Sequence, residues 1–559
     1  MNVNDRHGGQ ILVDQLKLHG VDRVFCVPGE SFLAALDGLV DSGIDTVVAR
    51  QEGGAAMMAE ADAKLTGRPG VLMVTRGPGA TNASAGLHVA MHDATPLVAF
   101  VGQIPRDYEG RGAFQEVDFP AFFGPLVKWA AEVRDTARLP EMIARAFSVA
   151  TSGRPGPVVL SLPEDMLSAR AAVADVPPRA IGPEPDHSAV AQTILARLRD
   201  AARPLVVAGG PGWSAEAAAD LARFSAAADV PIAVPFRRQD YMDNRDPGYC
   251  GDLGVGMNPA LGRSLAEADA ILALGTRLGE TATAGYTLLD PAQPQPHLMH
   301  IYPDASEIGR VYAPGLGYVA PAPAVLAALT AQSEAAPRGT NARRQTARAR
   351  YEAWQSPAES PGALKLEQVI AALSCSLPDN AIVTNGAGNY AAWLHRYYRY
   401  KRFGTQLAPT SGSMGYGVPA AVAAGLRHRD RPVVCLAGDG CLQMTVNELS
   451  TAAQYGANLT IVVVNNGRYG TIRMHQERHY PGRVSGTDLF VPDIPSLARS
   501  YGGQGVTVTD TDAAISAVRR AVATPDLSMV ELVVDPQALS TAQTLDQVRA
   551  AGEAALSRS

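Results

Sequence analysis

A Gly-Asp-Gly motif in the last third of the sequence has the residue types of a metal-binding turn. Gly438-Asp439-Gly440 follows the apolar run at 433–437, and a second apolar run at 459–464 ends in Asn465-Asn466. About 24 residues separate the two motifs, enough for one right-handed β-α-β crossover with a helix at 445–455. Such a crossover places Asp439 and Asn466 at the carboxyl edge of neighbouring parallel strands, where open α/β sheets bind ligands.

These two residues are the ligand types that magnesium prefers when it holds a diphosphate. Magnesium takes hard oxygen ligands, few from protein and the rest from phosphates and water. Asp439 supplies a carboxylate, Asn466 an amide oxygen, and the turn after it a backbone carbonyl, assigned to Arg468. Gly440 lets the backbone approach the phosphates, and the helix start favours their negative charge. A lone Gly-Asp-Gly is usually a simple turn, but its pairing with Asn466 at crossover distance predicts a magnesium–diphosphate clamp.

The predicted strands and helices that must position this clamp alternate with one another along the whole chain of 559 residues. Short apolar, β-rich runs are separated by Ala-rich segments of helical length, a pattern typical of α/β layers with parallel sheets. Polar, Pro-containing stretches at 167–190 and 332–362 resemble linkers, although each is alternatively a long surface loop within one domain. We therefore expect three Rossmann-like α/β domains. Their predicted boundaries are 1–170, 190–331 and 363–545.

Composition restricts the partners and the compartment. The net charge is −7 and there is no long basic run, so nucleic acid is not an expected partner. The polar N-terminus lacks the apolar core of a signal peptide, and no run reaches the length of about 18 apolar residues that a membrane span needs. The five cysteines include no CxxC pair and are too few for a disulfide framework. We expect a cytoplasmic protein.

Three further motifs, together with the clamp, resemble the thiamine-diphosphate enzyme superfamily, in particular acetolactate synthase large subunits. They are Arg-Gln-Glu-Gly-Gly-Ala-Ala at 50–56, Thr-Arg-Gly-Pro-Gly-Ala-Thr-Asn at 75–82 and Gly-Ser-Met-Gly-Tyr-Gly-Val-Pro at 412–419. The resemblance covers nearly the whole chain. It implies a pyrimidine-binding first domain, a central domain and a diphosphate-binding last domain. It also implies a homodimer or homotetramer with active sites between subunits.

The resemblance assigns the activating carboxylate to Glu52. In the family a Glu at this point hydrogen-bonds N1′ of the thiamine pyrimidine and favours the imino tautomer, whose N4′ removes the thiazolium C2 proton. Taken alone, Glu52 is simply a favourable first-turn residue of a helix that ends at Gly67. Gly412 is expected to offer its carbonyl to N4′ and Met414 to hold the two rings bent, although Met414 alone would be a gap-filling core residue. Glu60, two turns beyond Glu52, is expected to be structural.

Further cofactor contacts are implied on four segments. They are Asn82; Gly386, Ala387, Gly388 and Asn389; Gly438, Asp439, Gly440 and Cys441; and Asn466, Tyr469, Gly470, Thr471 and Ile472. In the second of these segments the synthases usually carry Gln-His, whereas this chain has Asn389-Tyr390. An amide is therefore kept there and the imidazole is not.

The expected reaction is decarboxylation of pyruvate or a similar 2-oxo acid, followed by addition of the resulting enamine to a second carbonyl. Phe114 and Gln115 resemble the synthase Phe-Gln and are expected near the reacting carbons. Decarboxylase relatives carry a His-His pair there and a Glu at the position of Ile472, so their proton donors for aldehyde release are missing. Gln115 is alternatively a plain surface amide. The rival functions are a 2-oxo acid decarboxylase, a flavin-dependent pyruvate-oxidase-type enzyme and an inactive nucleotide-binding scaffold.

Some segments depart from the synthase pattern. His475 replaces a Trp and is either a pocket residue or a structural one, and Glu30 adds a carboxylate near the site. In the middle third, the glycines at 209–212 and 251–256 and the Gly-Thr-Arg at 275–277 lie where acetolactate synthases bind FAD. Such glycines also occur at the strand ends of any Rossmann-like unit. The middle domain therefore binds FAD, binds another nucleotide or is empty, and the motif does not distinguish these alternatives.

Overall fold

A computed structural model of the chain describes residues 5–335 and 341–558. Within this part, three six-stranded sheets account for all the strands except one two-stranded antiparallel pair. Neighbouring strands in each six-stranded sheet run parallel, and helices connect them. The predicted α/β class with three parallel sheets is confirmed.

The first sheet lies in the first third of the chain, in the order β3-β2-β4-β5-β7-β6. Its strands, with the antiparallel pair β1 and β8, are β1 Asp5–His7, β2 Arg23–Cys26, β3 Asp45–Val48, β4 Gly70–Val74, β5 Leu97–Gln103, β6 Trp129–Glu132, β7 Pro157–Pro163 and β8 Arg170–Ala172. The helices are α1 Gly8–Leu18, α2 Leu33–Leu39, α3 Glu52–Thr66, α4 Pro78–Asp93, α5 Phe119–Phe123, α6 Leu139–Thr151 and α7 Glu164–Ser168.

The middle sheet has the order β11-β10-β9-β12-β13-β14. Its strands are β9 Pro204–Ala208, β10 Ile232–Pro235, β11 Tyr249–Leu253, β12 Ala270–Leu274, β13 Gln295–Tyr302 and β14 Pro314–Val319. The helices are α8 Ser188–Asp200, α9 Ala215–Ala228, α10 Pro259–Ala266, α11 Ala322–Glu334 and α12 Ala342–Trp354. Because α11 and α12 extend into 332–362, that predicted linker is partly helical, and its residues 336–340 lie outside the described part.

The last sheet has the order β16-β15-β17-β18-β20-β19. Its strands are β15 Ile382–Asn385, β16 Gln406–Leu407, β17 Val433–Gly438, β18 Thr460–Asn465, β19 Gln504–Val508 and β20 Ser528–Val533. The helices are α13 Leu366–Ser376, α14 Tyr390–Tyr397, α15 Gly417–Arg427, α16 Asp439–Gln443, α17 Glu448–Tyr455, α18 Gly470–His479, α19 Ile494–Ser500, α20 Thr511–Ala523 and α21 Leu545–Leu556.

The chain divides into two compact units. One contains Met1–Pro183, Pro409–Arg427 and Thr445–Gly456, and the other contains Glu184–Ala408, His428–Met444 and Ala457–Ser559. The middle and last sheets thus belong to one unit. This division does not test the predicted boundaries at 1–170, 190–331 and 363–545, which stay a prediction.

The sheets are held by strands with apolar side chains on both faces. Every residue of β4, β5 and β7 is buried, as is expected for central parallel strands covered by helices. Helix α3 is built from Ala, Gly and Met because it packs closely on α4: a Cβ added to Gly86 would lie 2.3 Å from Cβ of Ala56. This packing fixes α3, whose first residue is Glu52.

One helix prediction is wrong in its boundary. The helix expected at 445–455 begins only at Glu448, and a separate short helix, α16, starts at Asp439 itself. Thr445 and Glu448 form a turn between the two, with the Glu448 N–H donating to the Thr445 carbonyl at 3.0 Å. The hydroxyl of Thr445 donates to the carbonyl of Gly415 at 2.6 Å, which holds that turn outside the helix. The predicted end at Gly456 is confirmed, since Gly456 is left-handed with φ 62°.

None of the helices in the described part of the chain combines the length and the apolarity that crossing a bilayer requires. The predicted cytoplasmic location stays a prediction.

Candidate functional site

In the unit that contains the first sheet, Glu52 occupies the first position of α3. The side chain of the preceding Gln51 caps the helix by accepting the N–H of Gly54 at 2.9 Å. The amide of Asn82 donates to Oε2 of Glu52 at 3.0 Å, so the carboxylate is fixed by a neutral donor. Asn82, predicted as a cofactor contact, therefore contacts the predicted activating residue.

A second carboxylate, Glu448, holds the backbone just before Glu52. Its side chain is fully buried and accepts the N–H groups of Arg50 at 3.2 Å and Gln51 at 3.0 Å. Burial raises the pKa of Glu448, against the lowering effect of the Thr451 hydroxyl and these backbone donors. A Cβ on Gly54 would lie 2.5 Å from Oε1 of Glu448, which explains the glycine there. The sequence gives no local signal for this role, because nearly 400 residues separate the partners.

Glu60 connects α3 to the loop predicted to touch the cofactor rings. It is fully buried, accepts from Thr95 Oγ1 at 2.7 Å and pairs with Lys64 at 2.9 Å. Its other oxygen accepts the hydroxyl of Tyr416 at 2.5 Å. Tyr416 follows the Gly-Ser-Met segment at 412–414, so the network ties that segment to α3.

The segment itself is open to solvent. Gly412 is exposed and left-handed with φ 68°, and the side chain of Met414 is half-buried. Gly415 is left-handed as well, with φ 79°. Gly412 and Met414 thus lie on a loop anchored through Tyr416, and their predicted roles stay predictions.

Gln115 and Glu52 both lie next to the short segment 77–79. Gln115 is left-handed with φ 66°, and a Cβ added to Gly77 would lie 2.7 Å from Cβ of Gln115. A Cβ on Gly79 would lie 3.3 Å from Oε1 of Glu52. The neighbouring Phe114 is 75% exposed, which leaves its ring available for contact with a small molecule.

The extra carboxylate of Glu30 is paired. Arg76 donates to Glu30 at 2.9 Å and to Glu164 at 2.7 Å, and Arg76 is itself buried. Glu30 is therefore not an isolated acid, and it is bound through a residue of the 75–82 motif.

In the other unit, Asp439 and Asn466 follow neighbouring parallel strands, β17 and β18, as predicted. Asp439 is only 4% exposed, and its oxygens accept the N–H groups of Gly440 and Gly467, each at 2.8 Å. Burial raises the pKa of Asp439, because it disfavours the ionised form, and these donors only partly offset the effect. A cation at this carboxylate would favour the ionised form, so the residues fit a magnesium ion.

The turn after Asn466 packs against the Gly-Asp-Gly motif. Oδ1 of Asn466 accepts the N–H of Arg468 at 3.2 Å. Cβ atoms added to Gly440 and Gly470 would lie 2.7 Å from the Tyr469 ring and 2.8 Å from Nδ2 of Asn466. Both glycines are therefore needed for the close approach of this turn to its neighbours.

Helix α18 carries the remaining predicted residues of this turn. The hydroxyl of Thr471 donates to Oδ1 of Asn389 at 2.8 Å, while Ile472 is 53% exposed. His475 is also exposed, and partial burial together with Arg478 lowers its pKa. These residues form one exposed face beside the clamp.

The loop at 386–389 joins the same edge of the sheet, since β15 is the other neighbour of β17. Gly386 is buried, Ala387 and Asn389 are half-buried and Gly388 is exposed. Nδ2 of Asn389 donates to the carbonyl of Leu539 at 2.7 Å, so this amide is held by protein groups. The structure places the loop of predicted contacts beside the clamp residues. The sequence assigned no role to Tyr390.

Gly210 and Gly275 in the middle third have a structural explanation. A Cβ on Gly210 would lie 1.6 Å from the carbonyl oxygen of Gly275, so two strand ends touch through their backbones. Arg277 lies 3.7 Å from Glu307. The FAD prediction stays a prediction.

Comparison with known proteins decides the family. Residues 6–122 match the thiamine pyrophosphate enzyme N-terminal TPP binding domain, 191–329 the central domain and 386–532 the C-terminal TPP binding domain. The chain belongs to the thiamine pyrophosphate enzyme family. It is a thiamine-diphosphate-dependent enzyme, as the motifs predicted.

Similar curated proteins are acetolactate synthases. The chain is 33% identical to the acetolactate synthase large subunit of Parasynechococcus marenigrum (strain WH8102), over 94% of this chain and 87% of that protein. It is 32% identical to the acetolactate synthase isozyme 2 large subunit of Escherichia coli (strain K12), over 90% of this chain and 91% of that protein. It is 30% identical to the mitochondrial acetolactate synthase catalytic subunit of Aspergillus candidus, over 94% of this chain and 80% of that protein. The predicted resemblance is thus confirmed over most of the chain.

Proposed function

We propose that this enzyme decarboxylates pyruvate or a similar 2-oxo acid and joins the remaining acyl unit to a second carbonyl, as an acetolactate synthase does. The observation that carries the proposal is that Glu52 and Gln115 approach one turn at 77–79. An activating carboxylate and a neutral amide beside Phe114 suit carbon–carbon bond formation. Protonation to an aldehyde would instead need a titratable donor at that place.

The carboxylate of Glu52 would share a proton with N1′ of the cofactor pyrimidine. Asn82 orients it with a neutral hydrogen bond at 3.0 Å, and Glu448 fixes the backbone before it. When bound, thiamine diphosphate supplies the nucleophilic carbon and accepts the electrons released by decarboxylation. The protein contributes the position of the Glu52 carboxylate.

Magnesium and the diphosphate would be held at the edge of the last sheet. Asp439 would offer its carboxylate, Asn466 its amide oxygen and Arg468 its backbone carbonyl, and the ion would bind the diphosphate to these residues. The buried position of Asp439 supports this assignment, because an ionised carboxylate there gains from a neighbouring cation.

The acceptor would lie beside Phe114 and Gln115. The exposed phenyl ring offers an apolar surface for a methyl or ethyl group of the substrate. The Gln115 amide can donate to a carbonyl or hydroxyl oxygen, but it cannot supply a proton to carbon. Exposed His475 and Ile472 are the further candidates for contact with the acceptor.

We further propose a homodimer or homotetramer in which Glu52 of one subunit and Asp439 of another contact one cofactor. The reaction is not a net oxidation, so FAD in the middle third would have no redox role in it.

The test is product identification with purified protein, pyruvate, thiamine diphosphate and MgCl2, with 2-oxobutyrate offered as a competing acceptor. We expect acetolactate from pyruvate alone and no product after magnesium is chelated. Acetaldehyde or acetyl phosphate as the main product would refute the carboligase assignment.

A further inference from the structure

Tyr390 is buried at the point where the two predicted diphosphate loops meet. It is the first residue of α14 and is 7% exposed. The strands β15 and β17 are parallel neighbours, with Asn385 opposite Leu436. Tyr390 therefore lies just beyond the carboxyl ends of both strands.

The hydroxyl of Tyr390 bonds to both loops. It accepts the N–H of Gly386 at 3.1 Å, in the loop after β15. It donates to Sγ of Cys441 at 3.4 Å, in the short helix α16 that begins at Asp439. One hydroxyl thus connects the 386–389 loop to the predicted metal-binding turn.

The ring of Tyr390 fills the space between the same loops. A Cβ added to Gly388 would lie 2.8 Å from both Cδ1 and Cε1 of the ring. A Cβ added to Gly438 would lie 2.9 Å from Cδ1. Gly438 has an ordinary extended backbone with φ −75°, so the tyrosine ring, rather than the backbone, is the reason for glycine at that position.

We propose that Tyr390 is the positioning residue that sets the spacing of the two diphosphate-binding loops, at the place where the synthases carry the His of Gln-His. The inference rests on the proposed function, because it assumes that these loops bind thiamine diphosphate. Tyr390 acts through Gly386 and Cys441. Burial raises the pKa of Tyr390 well above the usual range, so the hydroxyl stays a neutral donor.

The test compares Tyr390→Phe with Tyr397→Phe. Tyr397 is also buried on α14, and its hydroxyl accepts a backbone N–H from Ala358, away from the clamp. Removing the Tyr390 hydroxyl leaves the buried N–H of Gly386 without this partner, so the Kd for thiamine diphosphate with magnesium should rise about tenfold. Turnover at saturating cofactor should stay within about twofold of wild type, and Tyr397→Phe should leave the Kd unchanged.

Calorimetric titration of the full-length protein gives the Kd without reference to the product formed. A wild-type chain that binds the cofactor but makes no acetolactate would thus contradict the proposed function alone. An unchanged Kd in Tyr390→Phe, or an equal rise in Tyr397→Phe, would refute the role of Tyr390.

A double-mutant cycle tests the ring separately. Gly438→Ala should weaken cofactor binding in the wild-type background because the added methyl meets the ring. Combined with Tyr390→Leu, the same substitution should cost less than it does alone, because the shorter side chain leaves room. If the effects of Gly438→Ala and Tyr390→Leu on the free energy of cofactor binding simply add, the proposed packing of the Tyr390 ring against Gly438 is contradicted.

Discussion

Glu52 depends on side chains that are distant in sequence. Asn82 orients its carboxylate, and Glu448 holds the two backbone N–H groups before it. A glycine at 54 is required because the Glu448 carboxylate occupies the space of a side chain. The predicted activating residue is therefore held in place by the protein's own groups, as preorganised catalytic groups are.

We expect Glu52→Gln to lower kcat by about 100-fold or more, because the amide cannot share a proton with N1′. Cofactor binding should change little, since the magnesium ligands are elsewhere. Initial rates at saturating cofactor, with titration of thiamine diphosphate, measure the two effects separately. Glu141→Gln, on the exposed face of α6, is the matched control. Full turnover by the Glu52→Gln enzyme would contradict the activation mechanism.

At the scale of elements, helix α18 carries the exposed residues beside the clamp and is secured by α21. Glu477 of α18 is fully buried and accepts from Arg549 of α21 at 2.8 Å. It also pairs with Arg473 at 3.0 Å. The hydrogen bond from Arg549 is the main cause that lowers the pKa of Glu477 to about 2. The position of Ile472 and His475 thus depends on a buried ion pair.

The pH dependence of this pair follows from the sign of the shift. A carboxylate whose folded pKa lies below its ordinary value of 4.5 stabilises the protein above about pH 4.5, and the stabilisation is lost as pH falls toward 2. Glu477→Gln should therefore lower the free energy of unfolding by about 2 kcal/mol at pH 7. The difference from wild type should shrink below pH 4.5.

Urea denaturation at pH 7 and at pH 3.5 measures both values. Asp546→Asn is the control, since Asp546 is exposed and lies 3.6 Å from Arg549, so its loss should cost less than about 0.5 kcal/mol. A Glu477→Gln difference that stays the same at both pH values would show that the charge is not responsible.

The adjacency of Asp439 and Asn466 at one edge of the last sheet was predictable from the sequence because its information is local. Asp439 and Asn466 each follow an apolar strand, and one crossover makes those strands neighbours. The start of the crossover helix was not predictable, since Thr445 bonds to Gly415, which is remote in sequence. The contacts of Glu448 with Gln51 and of Tyr390 with Cys441 were hidden for the same reason. The Asn389-Tyr390 departure was the one visible signal.

At the scale of the whole molecule, the predicted site residues follow strands of two of the three parallel sheets, the first and the last. Glu52 belongs to one compact unit and Asp439 to the other. The family resemblance implies that the two residues at one cofactor come from different subunits. If that arrangement holds, a complete active site requires two subunits.

Mixing two inactive variants tests that arrangement. A Glu52→Gln subunit and an Asp439→Asn subunit would together form one complete site and one doubly damaged site. After unfolding and refolding an equal mixture, we expect about a quarter of wild-type activity, from random pairing into dimers. Each variant refolded alone is the control. Activity no higher than the two controls would place Glu52 and Asp439 of one site in the same subunit.

The central claim is that the acyl unit left after decarboxylation is joined to a second carbonyl. The most direct measurement is the ratio of CO2 released to pyruvate consumed, with pyruvate as sole substrate and saturating thiamine diphosphate and magnesium. Carboligation onto a second pyruvate predicts about one CO2 for every two pyruvate consumed, because only the donor loses its carboxylate. A ratio of one CO2 per pyruvate would contradict the account.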